Sequence, residues 1–265
     1  MKQKKGVTSN TKIAIIFFIF LTFIVGVSLV IKVAAVIKKS QFDDSKRFTI
    51  SITNGKNIEI MSLSSDPKSV AVFRLNDNVK VEDVGRLLEI PIDGFISFKF
   101  QDLNQKIDSL FTNTVFNYRN LKTNLTIIDL LRLALFTKNI PESSITVKRV
   151  GDTGGLEVDK VIGRLVIDSL IEKDHQTIQI INATVVSGLG NRLAKLITNM
   201  GGNVILVTTE DSPRKKSAIT YIDKKTYTVE RLQEVLGYEI IKERGNAMSD
   251  IMIVIGEDKL NTVSF

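Results

Sequence analysis

The chain has 265 residues and a mass of 29.5 kDa, 43% hydrophobic and 25% charged, which excludes global disorder and allows two modest domains. It contains no Cys and one His, His175, so disulfide frameworks, thiol catalysis, zinc fingers, iron–sulfur clusters and most His-based dyads are out. The net charge of +7 lies wholly in residues 1–47, where nine Lys/Arg face Asp43 and Asp44, and the remaining residues balance 27 basic against 27 acidic. A nucleic-acid binder needs its basic surplus on the folded surface, so no nucleic-acid partner is expected.

Residues 1–12 form a basic tail carrying Lys2, Lys4, Lys5 and Lys12. From Ile13 to Ile31 run nineteen residues without a charge; Lys32 interrupts, and VAAVI continues to Ile37. Nineteen helical residues give roughly 28 Å, about the hydrocarbon thickness of a bilayer, and Lys32 can snorkel to the interface. A core helix would show a polar face. A signal peptide would be shorter, with a small-residue cleavage site that Val33-Ala34-Ala35-Val36 does not supply. The expectation is an uncleaved transmembrane helix from Ile13 to Ile37, with the lipid bilayer as partner. Lys32, Lys38, Lys39, Lys46 and Arg47 follow the span, so counting positive charges does not orient it. The short tail before a large domain points to a cytoplasmic N-terminus, a single pass of the cell membrane and extracytoplasmic C-terminal domains.

Residues 38–47 read as a charged stalk, and 48–150 as an α/β domain. FTISITNGKNIEIMSL (48–63) alternates around Asn54-Gly55, a hairpin signal. Val70–Leu75 is a third strand, Val81–Leu88 a helix, and FISFKF (95–100) a strand after Pro91-Ile92-Asp93-Gly94. Thr126, with Asp129 three residues on, opens a helix as a capping box does. Residues 151–176 are a linker, helical toward Lys173.

The block 177–265 is more legible. Thr177–Ile181 is a strand, and Ser187 can cap a helix whose inward face is Leu189, Leu193, Leu196, Ile197 and Met200, stopped by Gly201-Gly202. Val204–Thr208 and Ala218–Ile222 are strands. Thr226 or Thr228 caps a second helix ending at Gly237, and Ile251–Ile255 is a last strand. That order gives a ferredoxin-like βαββαβ plan. The fold class expected is thus an N-terminal transmembrane helix plus an α/β ectodomain with a C-terminal ferredoxin-like βαββαβ domain.

One turn offers groups for recognition. Val186-Ser187-Gly188-Leu189-Gly190 lies between a strand and a helix, where free helix amides can meet an anion or a sugar hydroxyl. Leu193 stands where a dinucleotide fingerprint needs its third Gly, and no Walker Lys follows, so no cofactor is expected. Tight strand–helix packing also accounts for the glycines, and is favoured. Asn182 and Thr184 can fold back on the turn, the default for such residues, or bind glycan hydroxyls. The ligand-binding candidates are Asn182, Thr184, Ser187, Gly188, Gly190 and Arg192. His175 has no metal-binding company, and Asp43-Asp44 belongs to the stalk, so no metal and no catalytic residue is expected.

IQIINATVVSGLGNRLAKLITNMGGNVILV (178–207) and SDIMIVIGEDK (249–259) resemble the opening and the closing signature of the LytR C-terminal domain, found on bacterial cell-envelope proteins. VAVFRLNDNVKV (70–81) and LLEIPIDGFISFKFQDLNQKIDSL (87–110) are similar to segments of the LytR–CpsA–Psr family, whose active members transfer polyprenyl-linked glycopolymers to peptidoglycan with clustered Arg and Asp. Where that family carries Pro-Arg-Asp this chain reads Leu75-Asn76-Asp77, with Arg74 next door. The resemblance implies a shortened LytR–CpsA–Psr-like domain at 48–150 and a LytR C-terminal domain at 177–265. The implied function is non-catalytic binding or scaffolding at the envelope, with peptidoglycan or an envelope glycopolymer as partner. The alternative is a glycopolymer phosphotransferase.

Overall fold

The computed structural model describes residues 9–75, 84–99, 103, 106–150, 162–243 and 248–260. The chain divides into two units, Met1–Ser40 and Gln41–Phe265.

The described residues of the first unit hold one helix, α1 (Ser9–Lys38). Its 30 residues contain no Pro, and at 1.5 Å per residue they extend roughly 45 Å. Within it the Thr22 hydroxyl donates to the Phe18 carbonyl, which satisfies a polar side chain inside the apolar run. Among the described residues it is the one helix long and apolar enough to cross a membrane.

The second unit opens with a six-stranded sheet. β1 (Phe48–Thr53), β2 (Ile58–Ser65) and β3 (Lys68–Leu75) form an antiparallel meander. β4 (Gly94–Ser97), after the short helix α2 (Val84–Leu88), pairs parallel with β1. Helix α3 (Ile107–Phe116) leads to β5 (Lys122–Thr123), and α4 (Ile127–Lys138) to β6 (Ile145–Val150), giving the order β5-β4-β1-β2-β3-β6. Both faces are covered. Ile50, Ile52, Val70 and Val72 pack with Phe111, Leu130 and Leu133 of α3 and α4, while Ile60, Phe73 and Leu75 pack with Val84 and Leu88 of α2 and with Ile162 and Val166. Two covered faces explain why every residue of β1 is buried despite its alternation.

Several expected elements take their places. Thr126 and Asp129 form the capping box of α4, with the Asp129 amide donating to Thr126 Oγ1 and the Thr126 amide to Asp129 Oδ2. The hairpin is realised with a longer loop: Thr53 pairs with Ile58, only Gly55 has positive φ, and Asn54 Oδ1 accepts the amides of Lys56 and Asn57. The helix expected at Val81–Leu88 is described from Val84; residues 81–83, Asn76, Asp77 and Phe100 lie outside the described residues. The linker is helical at 162–166 and in α5 (Ser169–Asp174), where His175 ends the helix with φ 52°.

The C-terminal part is a five-stranded sheet of β7 (Thr177–Asn182), β8 (Asn203–Thr209), β9 (Ala218–Tyr221), β10 (Glu239–Lys242) and β11 (Ile251–Ile255), ordered β10-β9-β11-β7-β8. Helices α6 (Leu189–Asn199) and α7 (Tyr227–Leu236) bury Leu193, Leu196, Val229 and Leu232 against Ile178, Ile180, Ile251 and Ile253. This corrects the ferredoxin-like βαββαβ plan. A split βαβ separates the strands of each crossover, whereas here β7 pairs directly with β8 and β9 with β10, both in parallel. β11 closes the sheet between the two units, parallel to β7 and antiparallel to β9. The unexpected strand β10 follows Gly237, whose left-handed conformation (φ 63°) ends α7.

Candidate functional site

The Asn182–Arg192 turn joins β7 to α6. Asn182, only 3% exposed, donates from Nδ2 to the Val186 carbonyl at 2.9 Å. Thr184, also buried, donates from Oγ1 to Asn182 Oδ1 at 2.8 Å and accepts the Val186 amide at 3.2 Å. Their hydrogen-bonding capacity is therefore used in folding the turn. Ser187 is exposed but does not cap α6; the cap is Gly188 in the left-handed region (φ 86°), a conformation that avoids strain only without a side chain. Gly190 is buried, and a Cβ there would lie 2.9 Å from Val207 Cγ1 of β8, so its role is close strand–helix packing. Arg192 is half-buried on the first turn of α6. Beside Ser187 and Gly188 the turn presents Val185 and Val186, 75% and 42% exposed. The six candidates are thus adjacent, but only Ser187, Gly188 and part of Arg192 face solvent.

The closing signature also has structural work. Asp250 Oδ2 accepts the amide and hydroxyl of Thr177 at 2.8 and 2.6 Å, fixing β11 to the start of β7. These Thr177 bonds hold the Asp250 carboxyl below the usual carboxylate range. Asp258 Oδ1 accepts the amide and hydroxyl of Ser217 at 2.9 and 2.8 Å. A Cβ on Gly256 would lie 2.4 Å from the Lys216 carbonyl carbon.

A second cluster lies where the two sheets of Gln41–Phe265 meet. Arg231 of α7, with its side chain 7% exposed, places Nη2 at 2.8 and 3.0 Å from the two carboxylate oxygens of Asp93. Asp93 Oδ2 also accepts the Thr49 amide at 2.8 Å. Nearby, Arg47 donates to the Ile167 and Leu165 carbonyls and to Ser62 Oγ, and burial pushes its guanidinium down to about 10 despite the countering charge of Asp168. Burial, then the bond to Asp168, pushes the Tyr227 hydroxyl up, so it stays protonated and donates to Asp168 Oδ2 at 2.7 Å. Asn199 donates to the Glu89 carbonyl at 2.9 Å, and Lys195 pairs with the Glu89 carboxylate at 2.7 Å. Sequence reasoning missed this cluster. The available signal was Arg231 itself, a charge between the inward residues Val229 and Leu232.

Among the described residues, no group of three or more His, Cys, Asp or Glu could hold a metal ion. His175 is exposed, and Asp43 accepts the amide and hydroxyl of Ser45 as a local turn. Arg74, beside the segment likened to Pro-Arg-Asp, is tied to the buried Glu59 across β2 and β3 at 2.7 Å.

Residues 175–258, which hold both βαβ units and the closing signature, match the family model described as LytR cell envelope-related transcriptional attenuator. They are a LytR C-terminal domain. Its match begins two residues before Thr177 and takes in the whole five-stranded sheet. No curated protein matches the chain. Among solved structures, the transcriptional regulator yvhJ from Bacillus subtilis is similar at 13% identity and a TM-score of 0.33, over 43% of this chain and 85% of that one. Lin1025 from Listeria innocua is similar at 12% and 0.30, over 40% and 83%, and Lmo1026 from Listeria monocytogenes at 12% and 0.21, over 73% and 98%. Likenesses this loose carry no argument about the site.

Proposed function

We propose that the chain is a single-pass membrane protein with a cytoplasmic N-terminus, whose extracytoplasmic part binds or scaffolds cell-envelope polymer without catalysis. The observation that carries the reading is the LytR C-terminal domain at 175–258, an envelope-related domain, on a chain with an apolar helix of 30 residues at its other end. Residues 48–150 act as its platform, a reduced LytR–CpsA–Psr-like domain. The non-catalytic reading is supported by the guanidinium groups of Arg47, Arg74 and Arg231, each engaged inside the fold. A pyrophosphate clamp needs convergent guanidinium groups aimed at a ligand.

At the turn, the Ser187 hydroxyl and the amides at the start of α6 are the polar groups offered to a sugar, with the half-buried Arg192 side chain beside them. Val185 and Val186 supply an apolar surface for its ring. Each neutral hydrogen bond contributes on the order of 1 kcal/mol, so one short fragment binds weakly and a polymer gains by repetition. The ectodomain carries no surplus charge beyond residue 47, and binding should depend weakly on salt.

The test is sedimentation of Gln41–Phe265, which contains all three hydrophobic cores, with isolated sacculi. Retention should fall several-fold in Ser187→Ala/Arg192→Ala with the melting temperature nearly kept. Equal sedimentation of the parent with and without sacculi would overturn the binding reading. Glycan transfer from a polyprenyl pyrophosphate donor would restore the phosphotransferase.

A further inference from the structure

Helix α4 buries Leu130 and Leu133 in the core, yet Ile127, Leu131 and Leu135 on its outer side are 43%, 50% and 59% exposed. Their i, i+4, i+8 spacing makes one continuous apolar stripe. Phe116, the last residue of the neighbouring α3, is 83% exposed. From residue 116 to 138 the exposed charges are Arg119, Lys122, Arg132 and Lys138, while the single carboxylate, Asp129, is buried. Within this segment the stripe is flanked only by Lys and Arg, with Asp43 of the stalk near Arg132, and an apolar stripe with basic flanks is the composition of a helix that lies in the headgroup layer of a bilayer.

The chain supplies a reason for that surface to meet lipid. Asp129 Oδ1 accepts the amides of Gln41 and Phe42, each at 2.9 Å, and Arg132 donates to the Phe42 carbonyl at 3.3 Å. The Phe42 ring packs edge-on against Phe136 of α4, with centroids 5.8 Å apart. Only Lys39 and Ser40 lie between Lys38, where α1 ends, and Gln41. Three Cα steps cover at most roughly 11 Å, so Gln41 is tethered close to the headgroup layer. The bonds at Asp129 hold the start of α4 on this tether.

We propose that the outer face of α4, through Ile127, Leu131 and Leu135, is a second membrane contact, seated in the lipid interface beside the point where the chain leaves the bilayer. The proposal rests on the reading of α1 as the membrane anchor. Burial of three such side chains, reinforced by adjacent Lys and Arg, would hold the six-stranded sheet against the membrane.

The chain has no Cys, so single nitroxide labels can be placed on the full-length protein in vesicles of mixed phosphatidylglycerol and phosphatidylcholine. Labels at Leu131→Cys and Leu135→Cys should be several-fold more accessible to oxygen, relative to a water-soluble nickel chelate, than a label at Ser187→Cys. A label at Val25→Cys, in the middle of α1, should be deeper still. Ile127→Glu should return the Leu131→Cys label to the value at Ser187. Water-like values at 131 and 135 beside a deep Val25 label would overturn this proposal and leave the anchor standing. A water-like Val25 label would overturn the anchor, and this inference with it. Protection of 131 and 135 from both reagents would mean that protein, such as a second copy, covers the stripe, and would also overturn it.

Discussion

Arg231 and Asp93 are 138 residues apart in sequence, yet Arg231 Nη2 stands 2.8 Å from Asp93 Oδ1 in a site that excludes most water. This pair joins the LytR C-terminal domain to the six-stranded sheet through the segment that opens β4. Asp93 is itself fixed there, since its amide donates to the Thr49 carbonyl and its carboxylate accepts the Thr49 amide.

Removing one partner of this pair should cost more than removing both. Arg231→Ala leaves a buried carboxylate uncompensated and is expected to lower stability by about 3–5 kcal/mol. Arg231→Met/Asp93→Leu should recover most of that loss. Denaturant titration of the two single variants and the double variant provides the cycle. Additive losses would show that the two side chains do not act as a pair.

Asp129 serves α4 and the stalk together, because its carboxylate caps the helix and accepts the Gln41 and Phe42 amides. Thr126→Ala should cost about 1 kcal/mol, the usual value of a cap. Asp129→Ala should cost more and should speed hydrogen exchange at Gln41 and Phe42, which Thr126→Ala leaves protected. Equal exchange in the two variants would separate the stalk from the cap.

Gly256→Ala sets a new methyl 2.4 Å from the Lys216 carbonyl carbon, a backbone atom that no rotamer change can move. Gly190→Ala comes too close only to the Val207 side chain, at 2.9 Å, with Asn182 Cβ next at 3.5 Å. The first variant should lose the larger part of the melting transition, and the second should lose about 1–3 kcal/mol by overpacking. A reversed order in thermal melts would contradict the packing of β11 and β9 described here.

Asp250 gives the LytR C-terminal domain an acid sensitivity. Its carboxyl is held below its ordinary range by Thr177, so the stability it contributes is present at neutral pH and lost as the pH falls through the carboxylate range. Thr177→Val should lower the urea midpoint at neutral pH and leave it little changed in acid. A loss of equal size at both would assign Thr177 a role apart from this carboxylate.

Much of this fold was legible from residues alone. The apolar run of α1, the Thr126–Asp129 box, the inward faces of α6 and α7 and the glycine stops each follow from local periodicity and backbone preference. β6 and β10 were not legible. Each is an edge strand rich in exposed charge, with Lys148 and Arg149 in one and Glu239 and Lys242 in the other, so pairing with β3 and β9 rather than alternation defines it. The turn between β7 and α6 follows from the strand and helix periods on either side, but chain periodicity could not show that Asn182 and Thr184 spend their bonds on each other and on Val186. Nor could it show Asp93 across from Arg231, because that contact exists only once two sheets have packed.

Sidedness of the membrane decides the central claim. In intact cells, a membrane-impermeant maleimide should label Ser187→Cys, and should reach Ser9→Cys only after the membrane is opened. Labelling of Ser9→Cys with protection of Ser187→Cys in intact cells would place the LytR C-terminal domain in the cytoplasm and contradict the account.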